Sequence, residues 1–170
     1  MSESRFEESV TFYADRQKDE KKRTALNIQY SVREKSKELT VNVEMAKILQ
    51  FSNEAEWSNK IYLQLSKHEL TDFCELLFGL KKSIEFNYHG PNKNKGLTVH
   101  NNDAKGVMLV ISEAGNTLQH LLSHHQRIEL GVFIIRRQAM AWKISVSDVL
   151  AILRQSSVIS RTVINPKLNV

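Results

Sequence analysis

Two helix starts in this chain are written the same way, and that repetition limits the folds open to it more than any other feature. Ser66-Lys67-His68-Glu69 and Ser123-His124-His125-Gln126 are both capping boxes. In each, the serine oxygen accepts from the N–H three residues on, while the Glu or Gln side chain accepts from the serine's own N–H. Apolar residues follow at spacings of three and four: Leu70, Phe73, Leu76, Leu77 and Leu80 after the first box, Ile128, Val132, Ile135, Ala139 and Trp142 after the second. That is the stripe of an amphipathic helix, and Gly79 marks the close of the first one. Leu65, Ser66, His68, Phe73, Leu76 and Leu77 correspond to Leu122, Ser123, His125, Leu130, Phe133 and Ile134 at a constant offset of 57 residues. A helix and its lead-in are therefore present twice, the alternative being a chance likeness of two amphipathic helices.

The stretches before each box alternate with period two, the pattern of a strand with one buried face. Leu26, Ile28, Tyr30 and Val32 alternate with Asn27, Gln29, Ser31 and Arg33, and Leu39, Val41, Val43 and Met45 repeat the pattern. Ile61, Leu63 and Leu65, then Ile84, Phe86 and Tyr88, then Leu97 and Val99 do the same, followed by the apolar run Val107 to Ile111. Turn signals at Gly90-Pro91-Asn92, Asn101-Asn102-Asp103 and Ala114-Gly115-Asn116 separate the later strands. With a short strand at Ser9 to Tyr13 and one leading into Ser123, each half holds four strands and a helix. The expected fold class is α+β: duplicated β-β-β-β-α units, antiparallel sheets with two packing helices. Residues 1–24 read as a charged N-terminal segment in which the mixed-sign run Asp15 to Arg23 is a solvated loop or helix. Residues 25–143 read as the domain, and residues 144–170 as a short helix capped at Ser147-Asp148, through Val149, Leu150, Ile152 and Leu153, followed by a basic tail with Arg154, Arg161 and Lys167.

At 170 residues the chain has the length of one domain. Its longest apolar stretches fall far short of the roughly 18 residues a membrane helix needs, so no membrane partner is expected. The N-terminus, Met1 to Glu8, is acidic and has no apolar signal core, which makes cytoplasmic residence the expectation, with a processed organelle protein as the alternative. Charge is uneven: residues 1–80 carry a net −2 and residues 81–170 a net +7. A basic half is the footprint of a protein that meets polyanions, although simple solubility produces the same imbalance.

The non-core faces of the strands offer Asn27, Gln29, Thr40, Asn42, Tyr62, Gln64, Asn87, His89, Thr98 and His100. These are mostly uncharged hydrogen-bonding groups, the kind a face needs to approach bases, though a solvent-facing sheet carries Thr and Asn as well. Tyr62 lies on the polar register and is a stacking candidate, whereas Phe86 and Tyr88 fall on the apolar register and read as core. Basic candidates are Lys60, Lys81, Lys82, Lys93, Lys95, Lys105, Arg136 and Arg137, of which Lys93, Lys95 and Lys105 flank two successive turns and are expected to gather at one end of a sheet as a phosphate track. The expected nucleic-acid-binding residues are Lys60, Tyr62, Gln64, Asn87, His89, Lys93, Lys95, Thr98, His100 and Lys105. His120, His124 and His125 stand close together, but His120 falls on a strand and the others open a helix, with no cysteine or carboxylate to complete a zinc set. No metal or other cofactor is expected. Gly-rich phosphate loops, G-x-S-x-G and Cys-His nucleophile patterns are absent from the sequence, so an enzyme is not expected, and the single cysteine, Cys74, reads as a packing residue.

Two successive four-strand-plus-helix units resemble the Whirly fold, a duplicated relative of the positive-cofactor-four-like domain, and the kinetoplastid mitochondrial guide-RNA-binding proteins are similar. The resemblance covers roughly residues 25–143 and is best at Lys60-Ile61-Tyr62-Leu63-Gln64-Leu65-Ser66 running into Leu70-Thr71-Asp72-Phe73, and at Lys95-Gly96-Leu97-Thr98-Val99 followed by Gly106 to Ile111. Lys93-Asn94-Lys95-Gly96-Leu97 is similar to the basic KGKAAL-type motif of plant Whirly proteins without reproducing it. The resemblance implies single-stranded nucleic-acid binding by sheet face and edges, tetramers built through the helices, and no catalysis. Residues 128–135, Ile-Glu-Leu-Gly-Val-Phe-Ile-Ile, are apolar nearly all round a helix and need a second burial partner, which agrees with a homo-oligomer. The expected function is single-stranded nucleic-acid binding with little sequence specificity, DNA placed before RNA, in replication, recombination, repair or transcription. An RNA-binding or annealing protein and a non-catalytic interaction scaffold are the alternatives.

Overall fold

The computed structural model describes residues 8–14 and 22–164. Most of the mixed-sign run, residues 15–21, and the end of the tail with Lys167 lie outside the described residues. Strands β1 (Ser9–Tyr13), β2 (Thr24–Val32), β3 (Leu39–Lys47) and β4 (Ile61–Gln64) form one antiparallel sheet in that order. Strands β5 (Ser83–His89), β6 (Lys95–Asn101), β7 (Val107–Glu113) and β8 (Asn116–Leu122) form the other. Each sheet is a meander that feeds a helix, α1 (Lys67–Leu77) after β4 and α2 (His124–Trp142) after β8.

Both capping boxes close as the sequence requires. Ser66 Oγ accepts from the Glu69 amide and Glu69 Oε1 accepts from the Ser66 amide at 2.8 Å, while Ser123 and Gln126 reproduce the exchange at 3.1 Å in each direction. The alternating residues bury as one layer: Phe12, Leu26, Ile28, Val43, Met45, Ile61 and Leu63 from the first sheet meet Ile84, Phe86, Leu97, Val99, Leu109 and Ile111 from the second, with α1 and α2 filling the space through Leu70, Phe73, Leu76, Leu130 and Ile134. Cys74 is fully buried in this core, and burial, with Glu75 beside it, pushes its thiol up to about 12. At the seam β8 lies against β2 and β3, and β7 against β4. There the Thr24 hydroxyl donates to the Gln119 carbonyl at 2.8 Å.

Two buried arginines fasten α2 to both sheets. Arg127, in its first turn, donates to Asn101 Oδ1 and to the Asp103 carbonyl, each at 2.7 Å, at the β6–β7 end of the second sheet. Arg137, about 15 Å further along the helix by its 1.5 Å rise, donates to the Thr40 and Ser31 carbonyls and lies over the ring of Tyr30. Arg137 is thus a structural group and not a surface cation.

The C-terminal region departs from expectation. A third helix, α3, runs from Val146 to Ile164 and takes in Arg154 and Arg161, which the sequence placed in a tail. Its start is held by Ser145, whose hydroxyl accepts from the Asp148 amide at 3.2 Å, and not by Ser147-Asp148. The helix continues past Leu153 because Val149, Leu153 and Ser157 are buried at successive four-residue steps, and Ser157 is small enough to keep the contact while breaking the apolar pattern. Because α3 packs on α2, part of the second burial partner that α2 needs comes from its own chain.

Candidate nucleic-acid interface

The outer face of the first sheet is ordered in two rows by strand register. Ser9, Gln29, Asn42 and Gln64 face one another across β1 to β4, and Thr11, Asn27, Glu44 and Tyr62 form the next row. Side chains along the second row are linked: Thr11 Oγ1 donates to Asn27 Oδ1 at 2.8 Å, Asn27 Nδ2 to Glu44 Oε2 at 3.2 Å, and Lys60 Nζ to Glu44 Oε1 at 2.9 Å. The row ends at Tyr62, half exposed at 50%, with Lys60 Nζ 5.4 Å and Lys95 Nζ 3.9 Å from its ring centroid. An exposed aromatic ring flanked by two cations offers a face for stacking and charge for phosphate. Thr40, placed on this face by alternation, is buried instead and donates to the Leu65 carbonyl at 2.7 Å.

Lys95 comes from the other sheet. It opens β6 on the inward register, just beyond the core, so its chain reaches across the seam, where Nζ donates to the Tyr62 carbonyl at 3.0 Å and pairs with Glu113 at 3.1 Å. Its side chain is only 12% exposed, so it acts as a cross-sheet clamp as much as a surface charge. Its register partner is His89, whose Nε2 lies 2.8 Å from Glu69 Oε2 in the α1 cap. Burial raises the Glu69 pKa, but the hydrogen bonds from His89 and from Ser66 outweigh it and hold the carboxyl below its ordinary value. Beside this cluster, along the seam, a polar cleft of about 570 Å³ is lined by Lys47, Ser58, Asn59, Lys60, Asn116 and Thr117 among others.

Lys60, Tyr62, His89 and Lys95 are therefore brought into one neighbourhood, with Gln64 next along β4 and donating to Ser31 Oγ at 3.1 Å. Asn87 is exposed on β5 and donates to Glu85 at 2.9 Å, and Lys93 sits in the β5–β6 turn with φ of 52°. Thr98 and His100 lie on the outer face of the second sheet, in rows with Val110 and Met108. Lys105 does not join Lys93 and Lys95. It belongs to a short 3-10 helix, Asp103–Lys105, in the β6–β7 turn, and successive turns of a meander lie at opposite ends of the shared strand, here about 20 Å apart over seven residues. The three lysines do not form one track. Of the other expected cations, Lys81 pairs with Asp72 and Glu75, Lys82 with Asp103, and Arg136 with Glu8. The histidines are engaged separately: His124 Nδ1 meets the Arg127 guanidinium at 2.7 Å, and His120 is buried against Thr24.

Tyr88 overturns its reading as core. A register shift between Phe86 and His89 marks a β-bulge, Tyr88 takes φ of 61°, and its ring is 79% exposed at the Lys93–Lys95 end of the sheet. Tyr13, half exposed, is a further ring on the outer face, opposite in parity to buried Phe12.

No protein-family model and no curated protein matches the chain. Solved structures do. The chain is similar to WHY1 from Arabidopsis thaliana at 17% identity and a TM-score of 0.58, over 98% of this chain and 96% of that one. The fold is the Whirly fold. MRP1/MRP2 of Trypanosoma brucei share the Whirly-like arrangement at 12% identity and a TM-score of 0.58, over 80% of this chain and 86% of that one. A guide-RNA-binding protein complex bound to a guide RNA does so at 13% identity and a TM-score of 0.56, over 82% and 93%.

Proposed function

We propose that the protein binds single-stranded nucleic acid on the outer face of the first sheet and along the seam beside Tyr62, without catalysis and with little sequence preference. The observation that carries this reading is the row Thr11, Asn27, Glu44, Tyr62, with hydrogen-bonding groups along it, its one carboxylate paired with Lys60, and a cation-flanked aromatic ring at its end. Bases can stack on the ring and meet amides along the face, while Lys60 and Lys93 meet phosphates. A Whirly-like neighbour described as bound to a guide RNA supports the polyanion, and the basic second half supports it from charge. Single-stranded DNA is the preferred ligand in this proposal, in replication, recombination, repair or transcription. A polarisation titration of labelled single-stranded DNA, single-stranded RNA and duplex tests it. Single strands should bind more tightly than duplex and Tyr62→Ala should weaken them, whereas preferential duplex binding would overturn the reading.

The proposal includes a homo-oligomer, a tetramer by the Whirly resemblance. The structure buries Leu130, Phe133, Ile134 and Ile135 of α2 but leaves Ile128 and Val132 about half exposed, one turn apart, with Phe78 beside Gly131. A second copy covering this stripe would remove the exposed apolar surface and leave the sheets facing outward.

A further inference from the structure

Tyr88 stands where a bulge turns an inward strand position outward. β5 alternates normally through Ile84 and Phe86, both buried, and one more step would bury Tyr88. Instead the ladder slips between Phe86 and His89, so that His89 pairs with Lys95 and turns to Glu69 while the Tyr88 ring faces solvent. The conformation that achieves this is left-handed, φ 61°, which is costly for a bulky side chain without a local hydrogen bond of its own to the backbone. Glycine is the residue that such a bulge position ordinarily takes, and Gly90 follows only two positions later. A large aromatic ring held in a strained backbone, exposed, and adjacent to residues already grouped at a candidate site is the pattern in which strain accompanies function.

The surroundings indicate what the ring meets. Asn87 precedes it, Lys93 stands in the turn that follows, and His89 is the register partner of Lys95, whose ammonium lies over Tyr62. Tyr62 and Tyr88 are thus two exposed aromatic residues from different sheets, one beneath the Lys95 ammonium and the other immediately before the register partner of Lys95. We infer that Tyr88 is a second stacking platform, taking one unpaired nucleobase of the strand whose neighbouring base lies on Tyr62. This rests on the proposed single-strand binding and adds a residue to it. A flat ring without charge contributes contact to a base and nothing to phosphate attraction, so its removal has a signature different from that of a lysine.

The test is a polarisation titration of a labelled single strand, and of a duplex of the same sequence, against wild type, Tyr88→Phe, Tyr88→Ala and Tyr88→Gly, with melting temperatures measured alongside. Tyr88→Phe should bind as wild type, because the ring remains. Tyr88→Ala and Tyr88→Gly should both lose roughly five- to 150-fold in single-strand affinity, the range of one base–aromatic stack, with the salt dependence unchanged. Tyr88→Gly should melt no lower than Tyr88→Ala, since glycine carries no left-handed penalty, which separates lost stacking from lost folding. Wild-type affinity in Tyr88→Gly overturns the inference and leaves the proposed function standing. A loss in Tyr88→Phe equal to that in Tyr88→Ala assigns the effect to the hydroxyl and also overturns it, as does an equal loss for duplex. Failure of the wild type to bind single strands overturns the proposed function and the inference with it.

Discussion

The imidazole of His120 lies at the seam between the sheets with Nδ1 2.9 Å from the Thr24 hydroxyl. Because that hydroxyl donates to the Gln119 carbonyl, Nδ1 carries the ring proton, and Nε2 is buried without a hydrogen-bond partner among the described residues. Burial pushes the pKa of this imidazole down to about 4. An unfolded histidine titrates near 6.5, so between that value and about 4 the unfolded chain holds the extra proton and stability falls as pH is lowered, by about 3 kcal/mol over the whole window. His120→Gln should flatten the pH dependence of the urea midpoint there. An unchanged slope would contradict a neutral, buried ring. Glu69 acts lower: its depressed pKa stabilises the fold above the ordinary carboxyl value, and that contribution is lost as pH falls through the lowered one. At the proposed interface, Glu44 is the one acid of the two polar rows and holds Lys60. Glu44→Gln should therefore release an ammonium, raise single-strand affinity several-fold and steepen its salt dependence, and weaker binding by this variant would place the strand elsewhere.

Among the elements, the strands and the two boxed helices were legible because each has one buried face and a start written in its own side chains. Ser66→Ala and Ser123→Ala should each cost about 0.5–2 kcal/mol, read as a lower urea midpoint. Gly106→Ala should cost more than either, because at φ 103° an added Cβ would lie 1.9 Å from the Leu122 carbonyl oxygen at the entry to α2. What the sequence hid was of three kinds. The bulge at Tyr88 leaves the alternation of side chains intact in sequence and changes only the backbone. The continuation of α3 runs through Ser157, a polar residue buried by packing. Arg137 reads as a basic candidate, yet its guanidinium is consumed by the Thr40 and Ser31 carbonyls, and Arg127, to which the sequence gives no role, is held likewise by Asn101 and the Asp103 carbonyl. The separation of Lys105 from Lys95, by contrast, follows from strand order alone, since a meander puts consecutive turns at opposite ends.

For the whole molecule, the repeat of strands and capped helix carries over into two sheets around one core, while the candidate site arises only where the two sheets touch, through Lys95 of one and Tyr62 of the other. No single strand's pattern contains that contact, which is why Lys95 was legible as basic but not as a clamp. Val132→Glu places a charge on the exposed stripe of α2 and should convert a homo-oligomer to a monomer in sedimentation without unfolding it; an unaltered oligomer would put the interface on another surface. The most direct test of a polyanion-binding sheet is the affinity of the wild-type protein for a labelled single strand measured across a range of salt concentrations. Binding should weaken with salt at a log–log slope of roughly −0.7 for each phosphate neutralised, with a total corresponding to several phosphates. A slope near zero, or no binding at low salt, would contradict it.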